Sequence, residues 1–386
     1  MVMKQTTLFF AGLALLAASC AKTEVISNGA QDNGKGIGFS AYTARHTKAA
    51  QQDVTTESLS SFNVTALKNG ADEKYIDNVL FSKNGNVWES SNKYFWPNYA
   101  LDFYAYNTPG GNTPFTSSFT SASQTIAVTP ATELTNQEDL VAAKAENKTF
   151  ANANVNGAID LEFNHYLTQI VVQAKNSNTT NYKVEVKGAK IARLAGEGTY
   201  TFGTEKMVAT DGKVNSSTST SYSTTFETAK TLTEEAQEVM TEGSEGKGRW
   251  YLIPQTVKPW DQEHNKTNGV IETYTQYGTY LALNVKITAN GGTQKIYPAG
   301  DDYAWMAVPI STEVSFNLAQ GKKYTFILNF FSNNQGAGYV DPEDPGDLDG
   351  DAGTVDNGKA ITASVIKFSA TVKEWDETSA TVTFDL

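Results

Sequence analysis

The sequence predicts an all-β protein, with two β-sandwich domains in tandem. Three observations carry this. The 386-residue chain holds 18 Tyr and 19 Phe, residue types that suit the pleated, half-buried surface of a strand. Apolar and polar residues alternate with a period of two in many short runs. Turn signals such as Asn84-Gly85, Asp211-Gly212 and Asn290-Gly291-Gly292 stand between those runs. Many short strands at this spacing point to sandwiches or barrels rather than a parallel sheet with crossover helices.

Residues 1–19 have the layout of a secretory signal. Lys4 precedes an apolar run too short to span a bilayer, and Ala17, Ala18 and Ser19 lead into Cys20. This ending resembles a bacterial lipobox, on which reading Cys20 becomes the mature N-terminus and carries acyl chains. An ordinary signal cut nearby, leaving Cys20 as a free thiol, is the other reading. Residues 20–36 are rich in Gly, Asn and Asp and read as a flexible stalk. Cys20 is the chain's one cysteine, so no intrachain disulfide can form and the core must hold by apolar burial.

The first sandwich is expected over 37–176. Ile37, Phe39 and Ala41 alternate with Gly38, Ser40 and Tyr42, as a first strand would. Phe62, Val64 and Ala66 share a face of residues 61–68, and 101–106 form a denser apolar run. His165 falls in phase with Leu161, Phe163 and Leu167, which suits a structural histidine better than a catalyst. The polar run 176–181 marks the division, and the second sandwich is expected over 177–386. There Tyr182, Val184 and Val186 alternate with Lys183, Glu185 and Lys187, and further strands fall at 250–253, 280–287, 303–308, 313–318 and 324–330. Two stretches, 137–145 and 231–240, suit short helices. The Ser/Thr-rich run 214–225 reads as an exposed loop.

The acidic, Gly-rich run 341–356 reads as a solvated loop. Asp341, Glu343, Asp344, Asp347, Asp349 and Asp351 offer the oxygen ligands that Ca²⁺ takes, but the run lacks the spacing and distal Glu of a calcium loop, so no metal is assigned. Towards the end, Ile366, Phe368, Ala370 and Val372 alternate ahead of a last strand at 379–386. In that strand Ala380, Val382, Phe384 and Leu386 alternate with Thr381, Thr383 and Asp385.

Charge and motifs narrow the function. With 30 Lys and Arg against 42 Asp and Glu, the net charge of −12 disfavours nucleic acid as a partner. The three histidines, His46, His165 and His264, form no HExxH pattern, and no GxSxG elbow, P-loop or GxGxxG turn is present. No catalytic residue or cofactor is assigned, and the chain is not expected to be an enzyme. The six tryptophans (Trp88, Trp96, Trp250, Trp260, Trp305 and Trp375) read as core residues, with a sugar-stacking platform as the other reading.

Several runs, in order along most of the chain, resemble the Bacteroidales fimbrillins, the subunits of type V pili. They are 37–45, 58–67, 93–97 (Lys-Tyr-Phe-Trp-Pro), 101–106, 161–170 around His165, 251–255 (Tyr-Leu-Ile-Pro-Gln), 321–325 and 372–375. Each is weak alone; the ordered set is specific. The resemblance implies transthyretin-like sandwich domains, lipoprotein export to the outer membrane, proteolytic maturation and assembly into a surface fimbria by strand exchange. It also implies other fimbrial subunits as partners, in a homo- or heteropolymer, and adhesion to glycans or proteins on host or bacterial surfaces.

On that scheme, cleavage between Arg45 and His46 frees the first strand with Ile37, Phe39 and Ala41. The vacated edge then takes a neighbour's strand, for which Ala380, Val382, Phe384 and Leu386 supply the alternating side chains. Head-to-tail insertion of this kind does not close and gives a filament. The competing readings are a last strand that completes its own domain, and a non-polymerising lipoprotein that binds glycans.

Overall fold

A computed structural model describes residues 36–43, 58–85, 87–107, 116–154, 157–210, 219–242, 248–260, 278–300, 302–311, 313–332, 336–343, 360–362, 367–374 and 379–382. Among them the regular structure is β, relieved only by short 3-10 turns such as Leu134–Asn136. The first part of the chain supplies β1 (Gly38–Thr43), β2 (Ser61–Lys68), β3 (Lys74–Asn84), β4 (Val87–Glu89) and β5 (Leu101–Asn107). Then come β6 (Thr116–Thr120), β7 (Thr125–Thr129), β8 (Val141–Lys148) and β9 (Ala158–His165). Seven of these form one sheet in the order β1-β9-β8-β5-β2-β3-β4. Period-two alternation puts Phe62, Val64 and Ala66 of β2 wholly inside. The sheet curls around this core, so that Phe39 of β1 reaches Phe62, Phe81 and Phe103 across it.

The second part begins with β10 (Thr168–Asn176), β11 (Tyr182–Leu194), β12 (Gly198–Thr201), β13 (Lys206–Ala209), β14 (Thr220–Thr231) and β15 (Gln237–Glu238). It continues with β16 (Trp250–Leu252), β17 (Gln255–Val257), β18 (Tyr280–Ala289), β19 (Gln294–Tyr297) and β20 (Ala304–Pro309). The last strands are β21 (Phe316–Leu318), β22 (Lys322–Phe330), β23 (Tyr339–Val340), β24 (Lys367–Glu374) and β25 (Ser379–Val382). Two sheets, β15-β10-β22-β24-β25 and β14-β11-β18-β20-β23, share one apolar core that includes Ile170, Val186, Trp250, Leu283 and Phe326. Most pairings are antiparallel, but β1 runs parallel to β9 and β10 parallel to β22. The chain changes cores between His165 and Thr168, and the polar run 176–181 is the turn that links β10 to β11.

A smaller sheet, β13-β12-β7-β6, takes two strands from each part of the chain. Its inner face packs Ile126, Val128 and Tyr200, with Phe202 from the turn after β12, against Tyr104 and Tyr106 of β5, with Tyr166, Tyr251 and Ile253 alongside. Full burial of each such side chain is worth about 1.5–3 kcal/mol, so the two parts are fastened by apolar packing.

Three local expectations fail. Residues 137–145 are not helical: Gln137 is buried, bonded to the Ala131 carbonyl and the Tyr251 amide, and the chain then enters β8. Residues 231–240 close β14 and form β15, which bonds the edge of β10. In both stretches pairing with distant strands overrides a weak local helical period. The run 214–225 is not all loop, because Thr220 onward belongs to β14 and pairs with β11.

Candidate strand-exchange site

The first strand combines a complete set of core contacts with bonding on one side. β1 pairs in the sheet with β9 alone, in register from Gly38↔Ala158 to Thr43↔Phe163. Its alternation sends Phe39 and Ala41 inward, 0% and 2% exposed. Phe39 meets three rings edge-on, with centroid separations of 4.8 Å to Phe81, 5.8 Å to Phe103 and 5.9 Å to Phe62, the geometry that aromatic quadrupoles favour. The sequence-predicted inward residues Ile37, Phe39 and Ala41 therefore do share one core, Ile37 from its rim.

The entry to the strand is fixed by residues that alternation did not single out. The Ile37 amide donates to the Tyr94 carbonyl at 2.9 Å, and Gly36 bridges Phe95. Trp96 Nε1 donates to the Gly157 carbonyl at 3.1 Å and its ring lies 5.9 Å from Phe103. Gly157 has φ +78°, and a Cβ there would sit 2.8 Å from both the Gly36 carbonyl oxygen and Trp96 Nε1. Only glycine fits that approach. A hollow beside the strand is lined by Ile37, Phe81, Trp88 and Tyr94. In the sequence the signal for this end was the Lys-Tyr-Phe-Trp-Pro run.

On the outer face Tyr42 stands opposite Glu162. Burial, then the charges of Glu162 and Asp160, raise its hydroxyl pKa above the usual tyrosine value. Removing β1 would bare the Phe62, Phe81 and Phe103 rings and strip β9 of its hydrogen-bond partner on that side, an edge prone to take up another strand.

The other expected residues fall elsewhere. Ala380 and Val382 lie in β25, which pairs antiparallel with β24 of the same chain (Val372↔Ala380 and Ala370↔Val382) at the rim of its sheet. Cys20, Arg45, His46, Phe384 and Leu386 lie outside the described residues. His165 is buried against Asp139, to which its Nδ1 is hydrogen-bonded, and Asn107 secures the same corner through the Asp139 carbonyl and the Val141 amide. That is a structural setting. Trp88, Trp250 and Trp260 are buried core residues. Among the described residues no group of His, Cys, Asp or Glu is arranged to hold a metal ion, and no helix is long and apolar enough to cross a membrane.

Asp341 corrects an expectation. It is fully buried, and Lys190 Nζ stands 2.6 Å from its Oδ2. Glu343 follows, held by Arg193 Nε at 2.7 Å. The solvated acidic loop therefore does not begin at 341. The cations that hold it lie far away in sequence, which hid them.

The fimbrillin-like family model matches residues 28–340 of the chain. The chain belongs to the fimbrillin-like family. The family is structural rather than enzymatic, and membership implies a place in a cell-surface fimbrium together with other fimbrial subunits. No curated protein sequence matches significantly. Among solved structures, this fimbrillin-like chain is similar to a fimbrial protein from Bacteroides vulgatus, at 19% identity over 76% of this chain and 94% of that one, with a TM-score of 0.49. It is also similar to a candidate cell adhesion protein from Bacteroides uniformis, at 15% identity over 88% and 99% of the two chains, with a TM-score of 0.44. The fimbrial anchor protein Mfa2 from Porphyromonas gingivalis matches at 13% identity over 76% and 90%, with a TM-score of 0.30.

Proposed function

We propose that this fimbrillin-like protein is a structural subunit of a type V fimbria that supports adhesion. On this reading it is exported as a lipoprotein on Cys20 to the outer membrane and cut between Arg45 and His46. It then polymerises when a neighbour's C-terminal strand, 379–386, fills the groove that β1 vacates. The observation that carries this is the seating of β1: its side chains complete the first core, yet it is hydrogen-bonded along one edge and joins the sheet as its terminal strand. Main-chain pairing and apolar burial suffice for the exchange, and no catalytic group is needed.

The test is to trim unlipidated protein (residues 20–386) with a trypsin-like protease and run it unboiled on a denaturing gel, beside a version ending before Ser379. A cut after Arg45 with an SDS-resistant ladder, lost in the shortened version, supports the proposal. A cut that yields monomer alone overturns self-assembly through 379–386. An intact 45–46 bond overturns the maturation step and favours a non-polymerising, glycan-binding lipoprotein.

A further inference from the structure

A cluster of charged and aromatic side chains, remote from β1, closes the second core where the chain leaves β23. Lys190 projects from β11 with 10% of its side chain exposed, and its Nζ lies 2.6 Å from Oδ2 of Asp341, whose side chain is fully enclosed. Several other lysine–carboxylate pairs reach solvent: Lys68 with Glu73, Lys74 with Asp77, Lys144 with Glu146 and Glu205, and Lys183 with Glu185. Around Lys190 the walls are aromatic, with Nζ 5.0 Å from the Trp305 ring centroid and 5.6 Å from that of Tyr280. The backbone of Asp341 is also held, its amide donating to the Trp305 carbonyl at 3.1 Å.

The two oxygens of Asp341 are in different surroundings. Oδ2 faces the amine. Oδ1 accepts from the Glu343 amide at 2.8 Å and from the Tyr280 hydroxyl at 3.0 Å. The same hydroxyl lies 3.1 Å from Glu343 Oε2, and Glu343 is fastened in turn by Arg193. Burial, then the Asp341 and Glu343 charges, raise the Tyr280 pKa, so the hydroxyl keeps its proton and stays a donor. An amine and a carboxyl group in contact, with two donors on the second carboxyl oxygen, have the parts of an acyl-transfer site.

We propose that Lys190 and Asp341 condense to an intramolecular isopeptide bond. One proton passes from the ammonium to Oδ2, leaving a neutral amine beside a neutral acid, a pair that enclosed, aromatic walls tolerate better than they tolerate separated charges. Nζ then adds to Cγ. The charge that develops falls on Oδ1, where the Glu343 amide and the Tyr280 hydroxyl receive it. The tetrahedral intermediate collapses as the C–Oδ2 bond breaks, Oδ2 leaving as water after taking a second proton from nitrogen. An ammonium and a carboxylate thus become a secondary amide and one water, with no oxidant or co-reactant. Fixed proximity supplies the drive, since well-oriented intramolecular reactions reach effective molarities of about 10⁵–10⁸ M. Shielding from water slows the reverse hydrolysis.

The bond would tie β11 to the residue that follows β23, across β18 and β20, the strands between them in the sheet. A chain with one cysteine has no disulfide to do this. The experiment is an intact-mass measurement on the folded full chain, with tryptic mapping, alongside Lys190→Arg and Tyr280→Phe. The expected result is a deficit of one water, a missed cleavage at Lys190 and a branched peptide joining Lys190 to Asp341. The deficit should vanish in Lys190→Arg, which keeps the cation, and should form more slowly in Tyr280→Phe. Should either variant fail to fold, the wild-type map decides alone. Full sequence mass with separate Lys190 and Asp341 peptides, after several days at neutral pH, would overturn the proposal, as would a deficit that persists in Lys190→Arg.

Discussion

Phe39 of β1 meets Phe81 of β3 edge-on, with ring centroids 4.8 Å apart, although their strands lie near opposite ends of the seven-stranded sheet. The curl of the sheet is therefore closed by a side chain from its terminal strand. Phe39→Ala should lower stability by about 3–5 kcal/mol, the usual cost of truncating an enclosed phenylalanine. Chemical denaturation of the uncut protein checks this, and an unchanged midpoint would mean that β1 is not seated.

Gly157 sits where the backbone around Gly36 and the Trp96 indole leave no room for a Cβ. Gly157→Ala should loosen the entry of β1 without touching its inward side chains. Amides of β1 should then exchange with deuterium faster, while those of β11 stay protected. Gly203→Ala, whose Cβ would meet open space, is the control and should leave both unchanged.

High pH should unfold the protein through its enclosed tyrosines. Burial, with the Asp102 and Glu146 charges adding to it, pushes the Tyr104 pKa up to about 12. Burial likewise raises Tyr200 and Tyr222. A tyrosine whose folded pKa lies above its unfolded value, about 10, keeps its proton in the native state and loses it in the unfolded one. Its contribution to stability is thus complete below pH 10 and disappears as pH climbs through the folded value. The part of the tyrosinate absorbance that is missing in a Tyr104→Phe variant should rise cooperatively with loss of structure between about pH 10 and 12. Ionisation of Tyr104 at pH 10 in protein that stays folded, read as the absorbance lost in Tyr104→Phe, would contradict the burial of this ring.

Phe202 belongs to the cluster where the four-stranded sheet meets β5, its ring 5.1 Å from Tyr104 and 4.9 Å from Tyr200. If this seam couples the two parts, the wild-type protein melts in one calorimetric transition. Phe202→Ala should then cost about 3–5 kcal/mol and resolve the melt into two steps. A single unshifted transition in the variant would show that the seam does not couple them.

Much of the strand content was legible because period-two alternation reports burial directly: β2, β11 and β22 lie where their patterns place them. The structural setting of His165 was legible for the same reason, since its neighbours in phase were apolar. The strand pairings were not. Nothing local in residues 137–145 tells that Gln137 will bond a backbone more than a hundred residues ahead, or that Asp139 will meet His165. Asp341 was misread because a carboxylate in an acidic run looks solvated until the lysine that neutralises it is known. For the candidate site, the inward face of β1 was readable. The anchoring of its entry by Trp96 and Gly157 depends on a close backbone approach, and alternation carries no sign of that.

The four-stranded sheet also bears on how such chains diversify over generations. β6 and β7 come from before the crossing between cores and β12 and β13 from after it, joined in register from Gly198↔Val128 to Thr201↔Thr125. Neither half is thus a cassette that recombination can lift out whole. A graft replacing everything up to His165 would deliver two foreign strands to a resident partner, and an odd shift in their spacing would turn Ile126 and Val128 outward. Sequence drift is free at the turns remote from this seam, whereas strands on its two sides must change together.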